Sequence, residues 1–252
     1  TKAQHTALPH SAVHQALRDR EGAMWFATMG GASRLDETGL VVYTEEDGLT
    51  GGVHHLRRTQ EGDLWIAHND TTGVTRLRRG EMTTWTDRDG LPEAKVYRVD
   101  QDTQGRVWVL TGDGAARMDG DHWSILDVGA GLPQDQVLAL LQARNGDLWL
   151  GTGRGLARWD GSQIEVFATE DGLPGDEVLD LLETRNGDLW ISAESGVARF
   201  DGESFEVFDD EDGLPRYVLD MHEDAEGGIW FATHGGVVRY DGDSFTRYTM
   251  DD

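Results

Sequence analysis

Cysteine is absent from all 252 residues, so no disulfide or thiolate metal site can form, and the redox compartment stays open. Lysine is nearly absent: only Lys2 and Lys95 occur, and arginine supplies the other basic side chains. Long apolar runs are missing too; stretches such as VLALL at 137–141 are too short to cross a bilayer. Positive charge as a whole is scarce, with 22 Lys and Arg against 47 Asp and Glu and a formal net charge of −25. A surface of that sign repels nucleic acid and anionic lipid heads and favours a soluble monomer. Acid excess with little lysine is shared by salt-adapted proteomes and GC-rich genomes. The opening TKAQHTALPH shows no cleavable signal and reads as the interior of a longer gene product.

What is present is a repeat. The tryptophans Trp25, Trp65, Trp108, Trp149, Trp190 and Trp230 follow one another at spacings of 40, 43, 41, 41 and 40 residues. A valine stands twelve residues before each (Val13, Val53, Val96, Val137, Val178 and Val218) and a glycine three before (Gly22, Gly62, Gly105, Gly146, Gly187 and Gly227). An arginine follows at nine residues in five copies and at eleven in one: Arg34, Arg76, Arg117, Arg158, Arg199 and Arg239. Copies four and five, from Leu132 and Leu173, agree at 24 of 41 positions.

The repeat settles the G-x-G-x-G run of Gly151, Gly153 and Gly155, which has the look of a phosphate loop. Only Gly155 recurs, and no helical segment follows, whereas a phosphate loop must feed a helix N-terminus. A hairpin turn is expected there. Each copy divides into four runs of strand length, in copy four VLALLQA, DLWLGT, GLARWD and QIEVFA, joined by glycine-bearing turns. Four strands per 41 residues, six times over, predict an all-β, six-bladed β-propeller of four antiparallel strands per blade. One domain over 1–252 is expected, with blades near 8–48, 49–90, 91–131, 132–172, 173–213 and 214–252. Copy one opens at ALP (7–9), where later copies have GLP, and the last ends at YTMDD, matching YTEED (43–47). The two ends are therefore expected to meet at one blade junction, with no strand borrowed across it.

Trp149 and Arg158 lie equidistant from the turn centre between them, which predicts that they face each other across strands two and three. The two extra residues of copy two keep the same pairing for Trp65 and Arg76. A scaffold role is expected for all six pairs, the guanidinium lying over the indole.

The unit EDGLP…V…L…GDLWI…G-[LV]-A-R-[FWY]-D-G…F-x-x-[FY] resembles the two-component regulator propeller repeat. The resemblance covers essentially the whole chain and is best in copies four to six, as at 171–208. Copies one and two depart, with DETGLVVY and RLRRGEMTTW in place of the DGxSF turn. The resemblance implies a β-propeller serving as a periplasmic or extracellular ligand-sensing or interaction module, joined to a kinase or other output domain of a larger signalling protein; from the residues, no cofactor or metal is expected. The RNGDLW turn is similar to the Asp-box of sialidases, but that motif's serine and aspartate do not recur. GAMWF and GGIWF resemble a strand of the virginiamycin lyase propeller, which implies an elimination reaction with a catalytic histidine; the remaining repeat words match it poorly.

In near-identical blades, function is expected at positions the scaffold leaves free. Two loop sets are expected to share one channel mouth. The turn from strand two to three offers Met29, His68, Asn69, Asp70, Asp113, Arg154, Glu194 and His234. The crossover after DGLP offers His10, His14, His54, His55, Tyr97, Asp135, Asp176, Arg216 and Tyr217. From these, His14, His54, His68, Tyr97, Asp113, Arg154, Glu194, Arg216, Tyr217 and His234 are the ligand-binding candidates. A small polar ligand, a carbohydrate first, or a protein partner would suit such a rim. The histidines concentrate in copies one, two and six, which keeps a lyase or hydrolase reading open, although no H-x-H or HExxH spacing occurs. The acidic linkers TEEDG, TDRDG, ATEDG and DDEDG lack calcium-loop ligand spacing and are expected to shape turns. A purely structural or protein-interaction ring, engineered or recently amplified from one blade, is the remaining alternative.

Overall fold

A computed structural model describes residues 4–68 and 73–249. All six copies fold into antiparallel sheets with the strands in chain order. The first strands are Val13–Arg18, Val53–Arg58, Val96–Gln101, Val137–Gln142, Val178–Glu183 and Val218–Glu223. The second strands, Met24–Thr28, Leu64–His68, Val107–Thr111, Leu148–Thr152, Leu189–Ala193 and Ile229–Thr233, carry the recurring tryptophans. Blade one gains a fifth strand, because Gln4–His5 pairs antiparallel with its fourth strand, Gly39–Tyr43. Of the stretches on which the expected meeting of the two ends rests, ALP (7–9) is described, while residues 250–252 of YTMDD lie outside the described residues. The chain forms two compact units, 1–126 with blades one to three and 127–252 with blades four to six.

The second strands of blades two to five are buried at every position. A strand can be apolar on both faces only if both are covered, and within each unit neighbouring blades supply the cover. Trp149 of blade four packs with Leu173, Val178, Ile191 and Phe200 of blade five. Trp25 meets Leu49, Val53 and Ile66 of blade two in the same way. Each fully buried side chain of this size contributes on the order of 1.5–3 kcal/mol.

All six Trp–Arg pairs stand directly opposite each other across strands two and three, the two-residue insertion in blade two included. Guanidinium carbons lie 5.6 to 5.9 Å from the partner indole in four blades, for Arg76, Arg117, Arg158 and Arg239. A carboxylate completes the arrangement, and it comes from one of two places. Asp19, Asp102 and Asp224 stand six residues before the tryptophan and accept its indole N–H at 3.0, 3.0 and 2.9 Å. Each also accepts turn amides, as Asp102 does from Gln104 and Arg106. Blades two, four and five place Thr59, Ala143 and Thr184 at that position, and an aspartate instead two residues before the tryptophan. There Asp147 accepts from Arg158 Nε at 2.6 Å. Asp224 shows the electrostatic result: burial alone would raise its pKa, but the Trp230 indole, Arg239 and two amides bring it down to about 2.

First strands are sheet edges, whose outward amides need partners. Side chains of the preceding blade supply them: Gln15 Oε1 accepts from Leu56 N at 2.6 Å, and Asp180 Oδ2 from Met221 N at 3.0 Å. His55 Nδ1 does the same for Val99 N at 3.3 Å. A second clasp joins the turns between strands one and two to the next blade. Arg144 N and Arg185 N donate to Glu183 and Glu223 at 3.0 and 2.9 Å, and both guanidiniums donate to turn carbonyls beyond. Between blades one and two the polarity is reversed: Arg58 reaches back to Asp19 at 3.4 Å.

The acidic linkers TEEDG, TDRDG and ATEDG, and the DVGAG linker of copy three, form single 3-10 turns ended by a left-handed glycine such as Gly48. In the acidic linkers the aspartate before that glycine accepts the amide three residues back, as Asp47 does from Thr44 and Asp171 from Ala168, both at 2.9 Å. The leucine after it is buried in every copy that has one, from Leu49 to Leu214.

Candidate functional site

At the blade end where strand two turns into strand three, a threonine pins the turn. Thr28, Thr111, Thr152 and Thr233 donate to the carbonyl three residues on at 2.7 to 2.9 Å. Each hydroxyl also accepts a turn amide, those of Asp113 and Arg154 at 3.0 and 3.1 Å. The stretch with three glycines is therefore a strand–turn–strand corner, with Gly151 inside the strand that ends at Thr152 and Gly155 opening the next at φ +117°. A Cβ on Gly155 would sit 2.5 Å from the Phe167 carbonyl oxygen, so the backbone approach itself requires glycine.

The two loop sets do meet at this end. Gly112 N donates to Lys95 O at 3.0 Å and Gly153 N to Gln136 O at 3.2 Å, tying each turn to the loop that enters strand one. Glu194, in a blade that has Ala193 in the threonine place, accepts the amides of Asp176 and Glu177 at 3.1 and 2.7 Å. Its carboxylate therefore holds the loop together.

The candidates divide by unit. In the first, every first strand carries a β-bulge one residue after its valine, so His14, His54 and Tyr97 lie in strands and not in loops. His54 Nε2 is 2.8 Å from the Tyr97 carbonyl oxygen across the blade boundary, while His14 is exposed. Asp113 is exposed at its turn. His68 differs from expectation: it is fully buried in the threonine position, its Nε2 2.8 Å from Thr75 Oγ1. That hydroxyl bonds in turn to Thr84 Oγ1 at 2.7 Å. Burial, opposed by the Gly51 carbonyl, brings the His68 pKa down to about 4, and burial with Arg98 beside it brings His55 to about 3. Asn69 and Asp70 lie outside the described residues.

In the second unit Tyr217 and His234 come together, ring centroids 6.3 Å apart and planes at 89°. Tyr217 N donates to Glu194 O at 3.3 Å across blades five and six. Tyr217 has φ +55°, a left-handed conformation that a bulky side chain rarely adopts, and its side chain is 46% exposed. Arg216 pairs with Asp210 at 3.3 Å and lines a cavity of about 440 Å³ with Pro174, Ser195, Asp209 and Glu211. Arg154 is exposed at the blade-four turn. Neither the bulge nor the strain at Tyr217 is visible in residue types. Among the described residues no group of three or more His, Asp or Glu side chains is disposed to hold a metal ion.

Residues 131–154 and 172–195 match the two component regulator propeller family. No curated protein matches the sequence. Among solved structures, the extracellular domain of the hybrid two component system BT3049 from B. thetaiotaomicron superposes with a TM-score of 0.84 at 21% identity. That match covers 96% of this chain and 35% of the other, so the chain spans about a third of that relative's length. A catalytically inactive virginiamycin B lyase from Staphylococcus aureus with quinupristin superposes at 0.78 with 14% identity, over 99% of this chain and 88% of that one. A streptogramin B lyase superposes at 0.77 with 17% identity, over 97% and 85%. At these identities the likenesses establish the fold, and the family match lies in two stretches of 24 residues each. The chain carries the two-component regulator propeller repeat on a six-bladed β-propeller.

Proposed function

We propose that the protein is a non-catalytic sensing module that binds a small polar ligand, a carbohydrate first, at the turn end of its blades. Tyr217 carries this reading. A bulky aromatic kept at positive φ and exposed to solvent costs folding stability, which the scaffold sustains where recognition needs that ring in place. Around it stand groups suited to hydroxyl-rich ligands: His234 against its edge, and Arg216 beside a cavity walled by Asp209 and Glu211. Aromatic stacking with flanking carboxylates and guanidinium recognises a sugar without any bond being broken.

A place outside the cytoplasm and in a larger signalling protein accords with the matched repeat and with the extracellular domain that the chain resembles. No helix among the described residues is long and apolar enough to cross a membrane. The lyase alternative needs a histidine poised as a base. His68 is bonded to Thr75, His54 to a carbonyl, and His234 lies against Tyr217, which favours the sensing reading.

The test is a thermal-shift screen of oligosaccharides on the wild type and on Tyr217→Gly. A ligand at a hundred times its dissociation constant adds about 2.7 kcal/mol to the wild type. Tyr217→Gly is expected to melt higher and to lose the ligand shift. A glycine variant that keeps the shift, or turnover of any glycan or cyclic ester in the same screen, would overturn the reading.

A further inference from the structure

The opposite blade end, where strand one turns into strand two, holds a feature at odds with the charge of the chain. A cavity of about 280 Å³ in the first unit is lined by Arg18, Arg20, Arg57 and Arg58, with Asp19 the one carboxylate in its wall. Four guanidiniums thus converge in a protein of net charge −25.

The available acids are already engaged. Asp19 Oδ2 accepts the Trp25 indole at 3.0 Å, and Oδ1 accepts the amides of Glu21 and Ala23. Arg58 reaches Asp19 and Glu21 only at 3.4 and 3.7 Å, and Arg57 reaches Asp100 at 3.2 Å. Among the described residues no carboxylate pairs with Arg18 or Arg20. The Nε atoms of Arg57 and Arg58 are moreover buried without a hydrogen-bond partner. Arg18 and Arg20 are both exposed, so theirs are the guanidiniums in this wall open to an acceptor from outside the chain.

The geometry points to a binding site for a doubly charged oxyanion, phosphate or sulfate, carried on a small soluble molecule as a monoester. Planar guanidinium forks match tetrahedral oxyanions through paired N–H donors, and several around one pocket neutralise a double charge. The cavity has room for one such group, and the acidic remainder of the surface repels a polyanion, which separates this site from a nucleic-acid groove. Nothing in the site depends on the ligand proposed at the other blade end.

Isothermal titration at constant ionic strength tests the site, with inorganic phosphate, inorganic sulfate and glycerol 3-phosphate as ligands and acetate as the singly charged control. Co-sedimentation with phosphatidic acid vesicles in phosphatidylcholine forms a separate arm. Saturable one-to-one binding of the three divalent ligands is expected, weakened at least tenfold in Arg18→Gln/Arg20→Gln and unchanged in the exposed control Arg88→Gln. If the double variant melts lower than the wild type, the two single variants decide by the same titration. No saturable heat, equal affinity in the arginine variants, or response to vesicles alone would overturn the assignment.

Discussion

The two units share one scaffold and differ in how they charge it. Residues 1–126 carry 14 Lys and Arg against 19 Asp and Glu, a net −5; residues 127–252 carry 8 against 28, a net −20. Seven of the nine histidines are in the first unit. The blade-to-blade clasp follows the same division. Blades four to six use glutamates that accept from arginine turns, whereas blades one and two place Arg58 where Glu183 and Glu223 stand, and the turn supplies the acid. The contact survives reversal of its charge because it needs only one donor and one acceptor at that distance. A repeat can therefore drift far in sequence and charge while the sheet register stays fixed.

The largest break in this comparison comes from the acid under the tryptophan. The Asp102 side chain is fully buried, and Asp102→Ala leaves an indole, two amides and Arg106 without their acceptor. A loss of about 3–5 kcal/mol is expected by chemical denaturation. Asp147→Ala, at the more open alternative position, should cost about 1–2 kcal/mol. Adding Ala143→Asp to that variant sharpens the test, since it gives blade four the arrangement of blade three and should restore stability.

Acidification comes next, and it should act on the first unit. His68 has a folded pKa near 4 and His55 near 3, both below the ordinary 6.5, so the unfolded chain binds more protons as pH falls. The stability these neutral imidazoles contribute is complete above pH 6.5 and is lost progressively as pH falls toward 4 and then 3. For His68 the loss is on the order of 3 kcal/mol. His68→Thr should flatten melting temperature against pH in that interval, and an unchanged slope would show that His68 does not set it. Asp224, lowered to about 2, acts further down: its contribution persists above the ordinary carboxylate pKa and disappears as pH falls from about 4 to 2.

Smaller effects belong to the exposed clasps and the stacked guanidiniums. Removing Arg144 and Arg185 together should cost about 1 kcal/mol, because both side chains are more than half exposed. Arg158→Met should lose about 0.5–1 kcal/mol in thermal melts and leave ligand affinity untouched.

The blades and their central register were legible because the Trp–Arg spacing and glycine turns repeat with one period, and pairing symmetry about a turn fixes which residues face each other. The two-place aspartate was present in the sequence as Asp19, Asp102 and Asp224 against Asp63, Asp147 and Asp188. It escapes a search for one recurring column because it alternates between two. His68 reads as a loop residue only until it is aligned with Thr28 and Thr111, whose buried place it takes. The bulge shifts the alternation by one residue, so that Val53 and Leu56, or Val96 and Val99, are buried three apart, and in a six-residue strand that single offset is not distinctive among residue types. The arginine cavity is assembled from residues some forty positions apart, in adjacent blades.

The bulge has an evolutionary consequence. It exempts one site per blade from ladder duty, and that site holds His14, His54, Tyr97, Leu138, Leu179 and Leu219 in turn. Six such sockets, one per blade, can be refitted one at a time, so selection can change the residue each holds without renegotiating the sheet register.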